Sequence, residues 1–258
     1  MKGCVLMKTK TNDICMFLLL TFLMPFFFVL CQRYTGLPVL QLLFYGLEAA
    51  SPSIAALLVL SKNRQLLSFF KKNFKGWKSG TALLFPCVFS LAPMLLARLF
   101  AGSSSSGHFL NYDLQFIVIV WAFFAEEIGW RGYLRSYLRE RMEKEWYVPV
   151  SIGIIWFLWH YYYFYQNGIE VPLLSFFIGC IAESFVYEYL LQWSEGNLLS
   201  SMTYHFSWNL CIHLFSINPA DNAGNEFPYI LMTLFEVSMV LLLLAHDKSR
   251  HMHRLPTK

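Results

Sequence analysis

Two adjacent carboxylates and an arginine follow one of the most apolar segments of the chain. Every residue of the run 116–124 is apolar, and Glu126, Glu127 and Arg131 come shortly after it. An ionisable side chain inside a bilayer costs ~2.5–3.5 kcal/mol or more, so such residues are rare and usually functional. Glu127 and Arg131 are four positions apart and share a helix face, where the arginine can pair with a carboxylate. A carboxylate placed in this way is a candidate base.

Two later apolar segments each add an imidazole. His160 ends the run 153–160, and His205 shares a helix face with Asn209 because the two are four positions apart. Counting 1.5 Å per residue from the predicted helix ends puts Glu126, His160 and His205 in one layer, roughly 12–20 Å below the predicted inner surface. Polar residues that only join helices would not need to share a depth.

This set of side chains suits amide hydrolysis. A carboxylate beside an imidazole can hold and deprotonate a water molecule, which then attacks an amide carbonyl. A second imidazole and an amide NH₂ group can stabilise the oxyanion that forms. The residue types therefore predict a hydrolase, and the alternative is a buried polar network that only holds the helices together.

The composition predicts an integral membrane protein. The chain has 258 residues, of which 57% are hydrophobic and 14% are charged, whereas soluble domains average about 25% charged residues. About 20 apolar residues in a helix cross a hydrocarbon core of ~30 Å. We predict an all-α, polytopic membrane protein with eight transmembrane helices, at residues 14–31, 37–60, 80–101, 113–136, 147–166, 171–193, 197–217 and 227–246.

Polar residues within these spans are concentrated in the C-terminal half, which suggests three regions. Residues 1–110 would form a transmembrane scaffold of three helices with an interfacial segment at 66–78, where lysines alternate with aromatic residues. Residues 111–217 would form the catalytic core. Residues 218–258 would supply the last transmembrane helix and a cytoplasmic tail.

Basic residues alternate between the predicted loops. They cluster in the N-terminus, the second loop, the fourth loop region and the C-terminal tail, and the other loops have almost none beyond Arg33. Because positive loops stay in the cytoplasm, we expect both termini to be cytoplasmic. We expect the membrane to be that of a bacterial cell. The net charge of +4 follows this topology and does not indicate a nucleic-acid partner.

In order and spacing, the three motifs resemble the CPBP family, the group of CAAX-protease and bacteriocin-processing intramembrane proteases. The family pattern is EExxxR on one helix, an aromatic-xxx-His on the next, and HxxxN or HxxxD on a later helix. Here the motifs read Glu126-Glu127-xxx-Arg131, Trp156-xxx-His160 and His205-xxx-Asn209. The match covers residues 113–217. It implies a CAAX-protease-like bundle of eight helices, with an intramembrane cavity open to the cytoplasm and to lipid.

The resemblance also implies roles for individual residues. Glu126 corresponds to the general base, and His160 corresponds to its partner in orienting the water. His205 and Asn209 correspond to the residues that stabilise the oxyanion.

The same resemblance gives Glu127 and Arg131 a supporting role. The position four residues before His160 is commonly Phe in the family and is Trp156 here. Family members are often labelled metalloproteases, and one Glu with two His is a possible zinc set. An arginine beside the site would oppose a dication, so we expect no metal cofactor and keep zinc as the alternative.

Other polar residues in the spans have more ordinary explanations. Glu183 stands where the family has a weaker third motif, and we expect it to pair within the bundle, with a place in the site as the alternative. Glu48 and Glu236 are expected to be protonated or paired across helices. His213 is expected to lie at the membrane interface.

The sequence thus predicts an intramembrane endopeptidase that cleaves a membrane-associated, hydrophobic or lipidated peptide, with membrane lipids as its other partners. The main alternative is a non-catalytic immunity or bacteriocin-resistance protein of the same fold. A small transporter with a proton relay is a third possibility, but the two inverted halves typical of many transporters are not evident. The sequence leaves the oligomeric state open.

Overall fold

All of the regular secondary structure in the described residues is helical in a computed structural model of the chain. The structure describes residues 11–75, 81–101, 114–168 and 171–253. The elements in chain order are α1 (Thr11–Tyr34), α2 (Pro38–Ala49), α3 (Ser51–Lys62), α4 (Leu66–Asn73), α5 (Thr81–Ala101), α6 (Leu114–Ala125), a π-helical segment (Ile128–Leu134), α7 (Arg135–Arg139), α8 (Tyr147–Asn167), α9 (Leu173–Trp193), α10 (Leu198–Leu214), a short 3-10 turn (Pro219–Asp221) and α11 (Phe227–His253).

The described helices fit a polytopic membrane protein. Four of them are long and apolar enough to cross a bilayer, and they span Thr11–Tyr34, Leu83–Ala101, Leu173–Trp193 and Phe227–His246. The pair α2 and α3, which meet at 65°, makes a fifth if it is counted as one span. Helices lie in all eight segments predicted to cross the membrane, but the count of eight spans stays a prediction. The boundary expected near residue 110 lies outside the described residues.

Large apolar side chains face outward along the helices. Leu19, Phe27, Leu84 and Leu242 are each more than half exposed. Soluble proteins rarely leave apolar surface of this extent uncovered. Lipid tails are the natural cover for it, and the protein is an integral membrane protein.

Two of the predicted spans are not single helices. The span 37–60 breaks at Ala50, and Pro52 lies in the first turn of α3. The reason is that a proline has no N–H to donate and disfavours helical geometry at the preceding residue. The span 113–136 breaks after Ala125, where the chain continues as the π-helical segment. π-helical turns are frequent at functional sites.

Glycines let the π-helical segment pack closely against its neighbours. All seven residues from Ile128 to Leu134 are buried. A Cβ atom on Gly129 would lie 2.5 Å from the carbonyl carbon of Pro52, and one on Gly132 would lie 2.6 Å from Cζ of Phe69. The bend between α2 and α3 and the π-helical segment therefore fit together only because position 129 has no side chain.

The short helix α4 is amphipathic, as its mixture of lysines and aromatics predicts. Lys71 and Lys72 are exposed, whereas Phe69 is fully buried against the π-helical segment. The helix α4 therefore lies at the surface of the bundle, and Phe69 anchors it there. The last three residues of the predicted interfacial segment lie outside the described part of the chain.

Polar contacts identify the two ends of the bundle. At one end, Lys62 Nζ lies 3.8 Å from Sδ of Met16, so the end of α3 is beside the start of α1. At the same end, Arg135 donates two hydrogen bonds of 2.6 and 2.9 Å to Glu188, near the end of α9. We call this the basic end.

The opposite end of the bundle contains the C-terminal ends of α1, α8 and α10. There, Arg33 donates to the backbone carbonyl of Gln166 over 3.0 Å, which ties the end of α1 to the end of α8. His213 at the end of α10 contacts Asp221 over 2.5 Å. His213 is therefore part of a hydrogen-bonded pair at this end.

The close approach at Gly129 can be tested by adding one methyl group. We expect Gly129→Ala to lower the free energy of unfolding by about 1–3 kcal/mol, because the new Cβ would overlap the Pro52 backbone. The matched control is Gly179→Ala in α9, where the nearest atom to the new Cβ lies 4.0 Å away. Denaturant-induced unfolding in detergent micelles measures both, and equal stability of the two variants would contradict the packing described.

Candidate active site

Glu126 lies at the junction between α6 and the π-helical segment. Its backbone carbonyl accepts hydrogen bonds from the amides of Gly129 and Trp130, over 3.0 and 3.1 Å. Its side chain is 6% exposed, and Oε2 accepts hydrogen bonds from the indole N–H groups of Trp156 (2.7 Å) and Trp130 (3.1 Å). The two indoles fix one carboxylate oxygen, so the other oxygen, Oε1, is the one available for chemistry.

His205 is held by the second glutamate. Its Nδ1 lies 2.9 Å from Oε1 of Glu127, a carboxylate that has no exposed surface. The opposite ring nitrogen, Nε2, lies 3.9 Å from Oε1 of Glu126. This distance is too long for a direct hydrogen bond, but one small molecule can contact both atoms. The ring of His205 therefore spans the gap between the two glutamates.

Arg131 compensates the buried charge of Glu127. Its Nη1 lies 3.4 Å from Oε1 of Glu127, with both side chains almost fully buried. The guanidinium carbon lies 3.6 Å from the ring centre of Tyr187 and 4.2 Å from that of Trp156. Stacking between two aromatic faces suits a planar cation that has left water. The expected pairing of the arginine is with Glu127 and not with Glu126.

His160 lies one turn after Trp156 on α8. Its Nδ1 donates to the carbonyl of Trp156 over 3.0 Å, and its ring packs against Trp156 and Trp159, with centroid distances of 4.9 and 4.8 Å. The hydrogen bonds that Glu126 receives from described side chains come from the two indoles. His160 faces the same cavity as Glu126, so any joint action of the two would take place through a molecule in that cavity.

Asn209 follows His205 by one helical turn. Its Nδ2 donates to the backbone carbonyl of His205 over 3.1 Å, which uses one of its two N–H bonds. The side chain is half-buried and lines the same cavity as the His205 ring. The two side chains therefore face one space, although the contact between the residues is through the backbone of α10.

The cavity has a volume of about 390 Å³, and all four residues predicted to be catalytic line it. Glu127 and Arg131 lie behind its wall and are not part of the lining. Much of the remaining surface is aromatic, with contributions from Trp121, Phe164, Phe176 and Trp208. The arrangement combines a small polar face with apolar walls, as is common for sites that bind organic ligands.

Sequence reasoning missed the part that the tryptophans play. Trp156 stands where the family commonly has Phe, but its indole N–H donates to Glu126 and a phenyl ring cannot. Trp130 makes the same kind of contact from the π-helical segment. The available signal was the spacing, because Trp130 lies four residues after Glu126 and Trp156 four residues before His160.

The other buried acids differ in their surroundings. Glu236 accepts a hydrogen bond of 2.9 Å from the hydroxyl of Tyr204, so it is paired across helices as expected. Glu183 is buried and has neither a hydrogen bond nor an ion pair within the described part of the chain, so the expected pairing is not found there. Glu183 lines the cavity, which fits the alternative that it belongs to the site.

Metal binding can be judged from the donor groups. Among the described residues, no cluster of three or more His, Cys, Asp and Glu side chains is arranged to hold a metal ion. One oxygen of Glu126 accepts two indole hydrogen bonds, and Nδ1 of His205 is taken by Glu127. The described side chains therefore do not fit a zinc site, and the expectation of no metal stays a prediction.

The indole contact to Glu126 can be measured with a double-mutant cycle. We expect Trp156→Phe to lower the free energy of unfolding by about 1.5–3 kcal/mol, since it removes a hydrogen bond to a buried carboxylate. In a Glu126→Gln background the same change should cost only about 1 kcal/mol, because the acceptor is then neutral. Unfolding in detergent micelles measures the cycle, and an equal cost in both backgrounds would show that the indole does not act through Glu126.

Comparison with known proteins finds a family that the central part of the chain resembles. Residues 108–211 match the family model described as Rce1-like, type II CAAX prenyl endopeptidase, and the matched segment contains every residue of the site described above. The chain is also similar to a protein named CAAX prenyl protease 2 from Methanococcus maripaludis. The two are 26% identical over 208 residues, which cover 72% of this chain and 76% of that protein. These similarities support the assignment of the chain to the CPBP/CAAX protease family.

Proposed function

We propose that the protein is an intramembrane endopeptidase in which Glu126 activates a water molecule to hydrolyse a peptide bond. The observation that carries this proposal is the separation of 3.9 Å between Oε1 of Glu126 and Nε2 of His205 at the cavity wall. A water molecule and a substrate carbonyl can both reach this gap from the cavity. Similarity to the CAAX prenyl endopeptidases supports peptidase activity in general, and the roles of individual residues are our proposal.

Glu126 acts as the base. Because the indoles hold Oε2 in place, Oε1 takes a proton from the water as the water oxygen bonds to the carbonyl carbon. The carbonyl π electrons move to its oxygen, which becomes an oxyanion. When the C–N bond breaks, Glu126 returns the proton to the leaving nitrogen. The products are a carboxylic acid and an amine, and the carboxylate of Glu126 is regenerated.

His205 and Asn209 stabilise the oxyanion. With Nδ1 held by Glu127, His205 donates from a protonated Nε2 towards the cavity. The second N–H of the Asn209 amide is the other donor. Removal of one such donor in other enzymes costs about 10²–10³-fold in rate. In this state the two glutamates are balanced by the imidazolium of His205 and the guanidinium of Arg131, so the buried group has no net charge.

His160 orients the attacking water. Its Nδ1 hydrogen is donated to the carbonyl of Trp156, so in the neutral ring the lone pair is on Nε2. That nitrogen can accept a hydrogen bond from the water while Glu126 accepts the other. The mechanism as proposed uses no metal, since the guanidinium of Arg131 lies beside the carboxylates and would repel a dication.

The walls of the cavity select the substrate. Aromatic residues such as Trp121, Phe164 and Trp208 line it, and burial of apolar surface there is favourable by about 25 cal/mol per Å². We propose that the substrate is a hydrophobic or membrane-associated peptide, whose side chains contact these walls while one peptide bond reaches Glu126. A lipid group attached to the peptide would be accommodated by the same apolar surface or by the surrounding bilayer.

The role of Glu126 can be tested by replacing its carboxylate with an amide of the same shape. We expect Glu126→Gln to lower the rate of peptide cleavage by about 10²–10⁴-fold, which is the usual contribution of a general base. Cleavage of a fluorogenic hydrophobic peptide by the purified protein in detergent or liposomes measures the rate.

The matched control for this test is Glu236→Gln, a substitution of another buried glutamate. Its amide can still accept the hydrogen bond from Tyr204, so we expect cleavage within about threefold of the unmodified protein, a difference of under 1 kcal/mol. Full activity of the Glu126→Gln variant would contradict the role proposed for Glu126, and a lack of cleavage by the unmodified protein would favour the non-catalytic alternative.

A further inference from the structure

The cavity lies in one half of the bundle, away from the basic end. Its lining residues come from the second half of α8, from Trp156 onward, and from the second half of α10, from His205 onward. The lining also includes Val171, just before α9, and Asn218, just after α10. Both lie in connections at the opposite end of the bundle. The cavity therefore extends from the catalytic residues towards the end that carries few basic residues.

The other half of the bundle is filled with side chains. Trp130, Leu134 and Tyr187 are almost completely buried between the catalytic glutamates and the basic end. The helix α4 covers this region, with Phe69 fully buried against Gly132. Interiors packed in this way leave few voids larger than a water molecule. Within the described residues, the cavity gives a peptide a path to Glu126, whereas packed side chains lie between Glu126 and the basic end.

The charges of the described residues distinguish the two ends. The basic end carries the lysines and arginines found between the end of α3 and the residues after α4, and between the start of α7 and the start of α8: Lys62, Arg64, Lys71, Lys72, Lys75, Arg135, Arg139, Arg141 and Lys144. The opposite end carries only Arg33 and Arg98 among the described lysines and arginines, together with the acidic Asp221 and Glu226. An excess of lysine and arginine marks the cytoplasmic side of a membrane protein.

We propose that substrate enters the active site from the non-cytoplasmic face of the membrane. This inference rests on the proposed peptidase function for the identity of the ligand, but the side of entry follows from the position of the cavity and the distribution of charge. The sequence predicts both a cytoplasmic basic end and a cavity open to the cytoplasm, and the proposal replaces the second of these expectations. A cytoplasmic basic end and a cavity open to the cytoplasm cannot both hold, because the cavity and the basic end lie at opposite ends of the bundle.

The side of entry defines a class of substrate. The peptide must be at the outer surface of the membrane or must have crossed it, as a secreted or imported hydrophobic peptide does. A prenylated protein tail held at the cytoplasmic surface would face the closed basic end. The protein would therefore process or degrade peptides outside the cytoplasm, although its family match is named for CAAX prenyl endopeptidases.

Cysteine labelling in intact cells tests the orientation. The six native cysteines are first replaced by alanine, and single cysteines are then introduced by Ala220→Cys, Lys71→Cys or Ala122→Cys. Ala220 is exposed at the opposite end, Lys71 is exposed at the basic end, and Ala122 lines the cavity. Cells are treated with a charged methanethiosulfonate that cannot cross the membrane, before or after permeabilisation.

We expect the cysteines at 220 and 122 to react in intact cells, and the cysteine at 71 to react only after permeabilisation. Reaction at 71 in intact cells, or reaction at 220 only after permeabilisation, would overturn the proposed orientation. Reaction at 220 without reaction at 122 would overturn the route of entry. The labelling does not depend on catalysis, so it can fail while the peptidase function stands.

A second readout connects entry with activity. The adduct at position 122 should reduce peptide cleavage by at least about tenfold, a difference of ~1.4 kcal/mol, because it occupies the cavity. The adduct at position 220 is the matched control and should leave cleavage unchanged. If both cysteines react from outside and the adduct at 122 leaves cleavage intact, the cavity is not the route of the cleaved peptide. If no variant cleaves any hydrophobic peptide, the peptidase function fails and the orientation stands.

Discussion

Glu127 is a carboxylate with no exposed surface, and its charge has to be compensated inside the protein. An unpaired charge in a medium of low dielectric constant is very costly, so it must have hydrogen-bond donors and a counter-ion nearby. His205 supplies the donor and Arg131 supplies the cation. These contacts fix the ring of His205, and the fixed ring aims Nε2 at the remaining oxygen of Glu126. The geometry of the site thus follows from the need to satisfy one buried acid.

The backbone supports this arrangement through a local departure from the α-helix. Two consecutive glutamates on a regular helix point about 100° apart, since each turn takes 3.6 residues. Here the change to a π-helical segment occurs directly after them. Glu127 contacts Nδ1 of His205 over 2.9 Å, and Glu126 faces Nε2 of the same ring across a gap of 3.9 Å. Gly129 then permits the segment to lie against the bend at Pro52. The site therefore depends on contacts with α3, which lies in the region that the sequence assigned to the scaffold.

Much of the fold could be predicted from the sequence because lipid imposes simple rules on length and polarity. Runs of about 20 apolar residues locate the helices, and polar residues within such runs locate the cavity. Depth counting placed Glu126, His160 and His205 together because helices have a fixed rise per residue. All three line one cavity.

The finer contacts could not be predicted in this way, because they depend on rotation about each helix and on local breaks. Spacing suggested that His205 and Asn209 form a unit, but the ring of His205 pairs with Glu127 from another helix. Trp156 has an indole N–H group that the common Phe lacks, and hydrophobicity does not reveal that this group reaches Glu126. The side on which the cavity opens also required coordinates, because charge in the loops orients the bundle without locating the space inside it.

The central claim is that Glu126, His205 and Asn209 surround one reacting peptide bond. An experimental structure of the protein with a bound peptide phosphinate tests this most directly, because its tetrahedral phosphorus resembles the intermediate of hydrolysis. The account predicts one phosphinate oxygen within about 3 Å of Oε1 of Glu126 and the other within about 3 Å of both Nε2 of His205 and Nδ2 of Asn209. A phosphinate bound in the cavity with His205 rotated away from it, or bound outside the cavity, would contradict the claim.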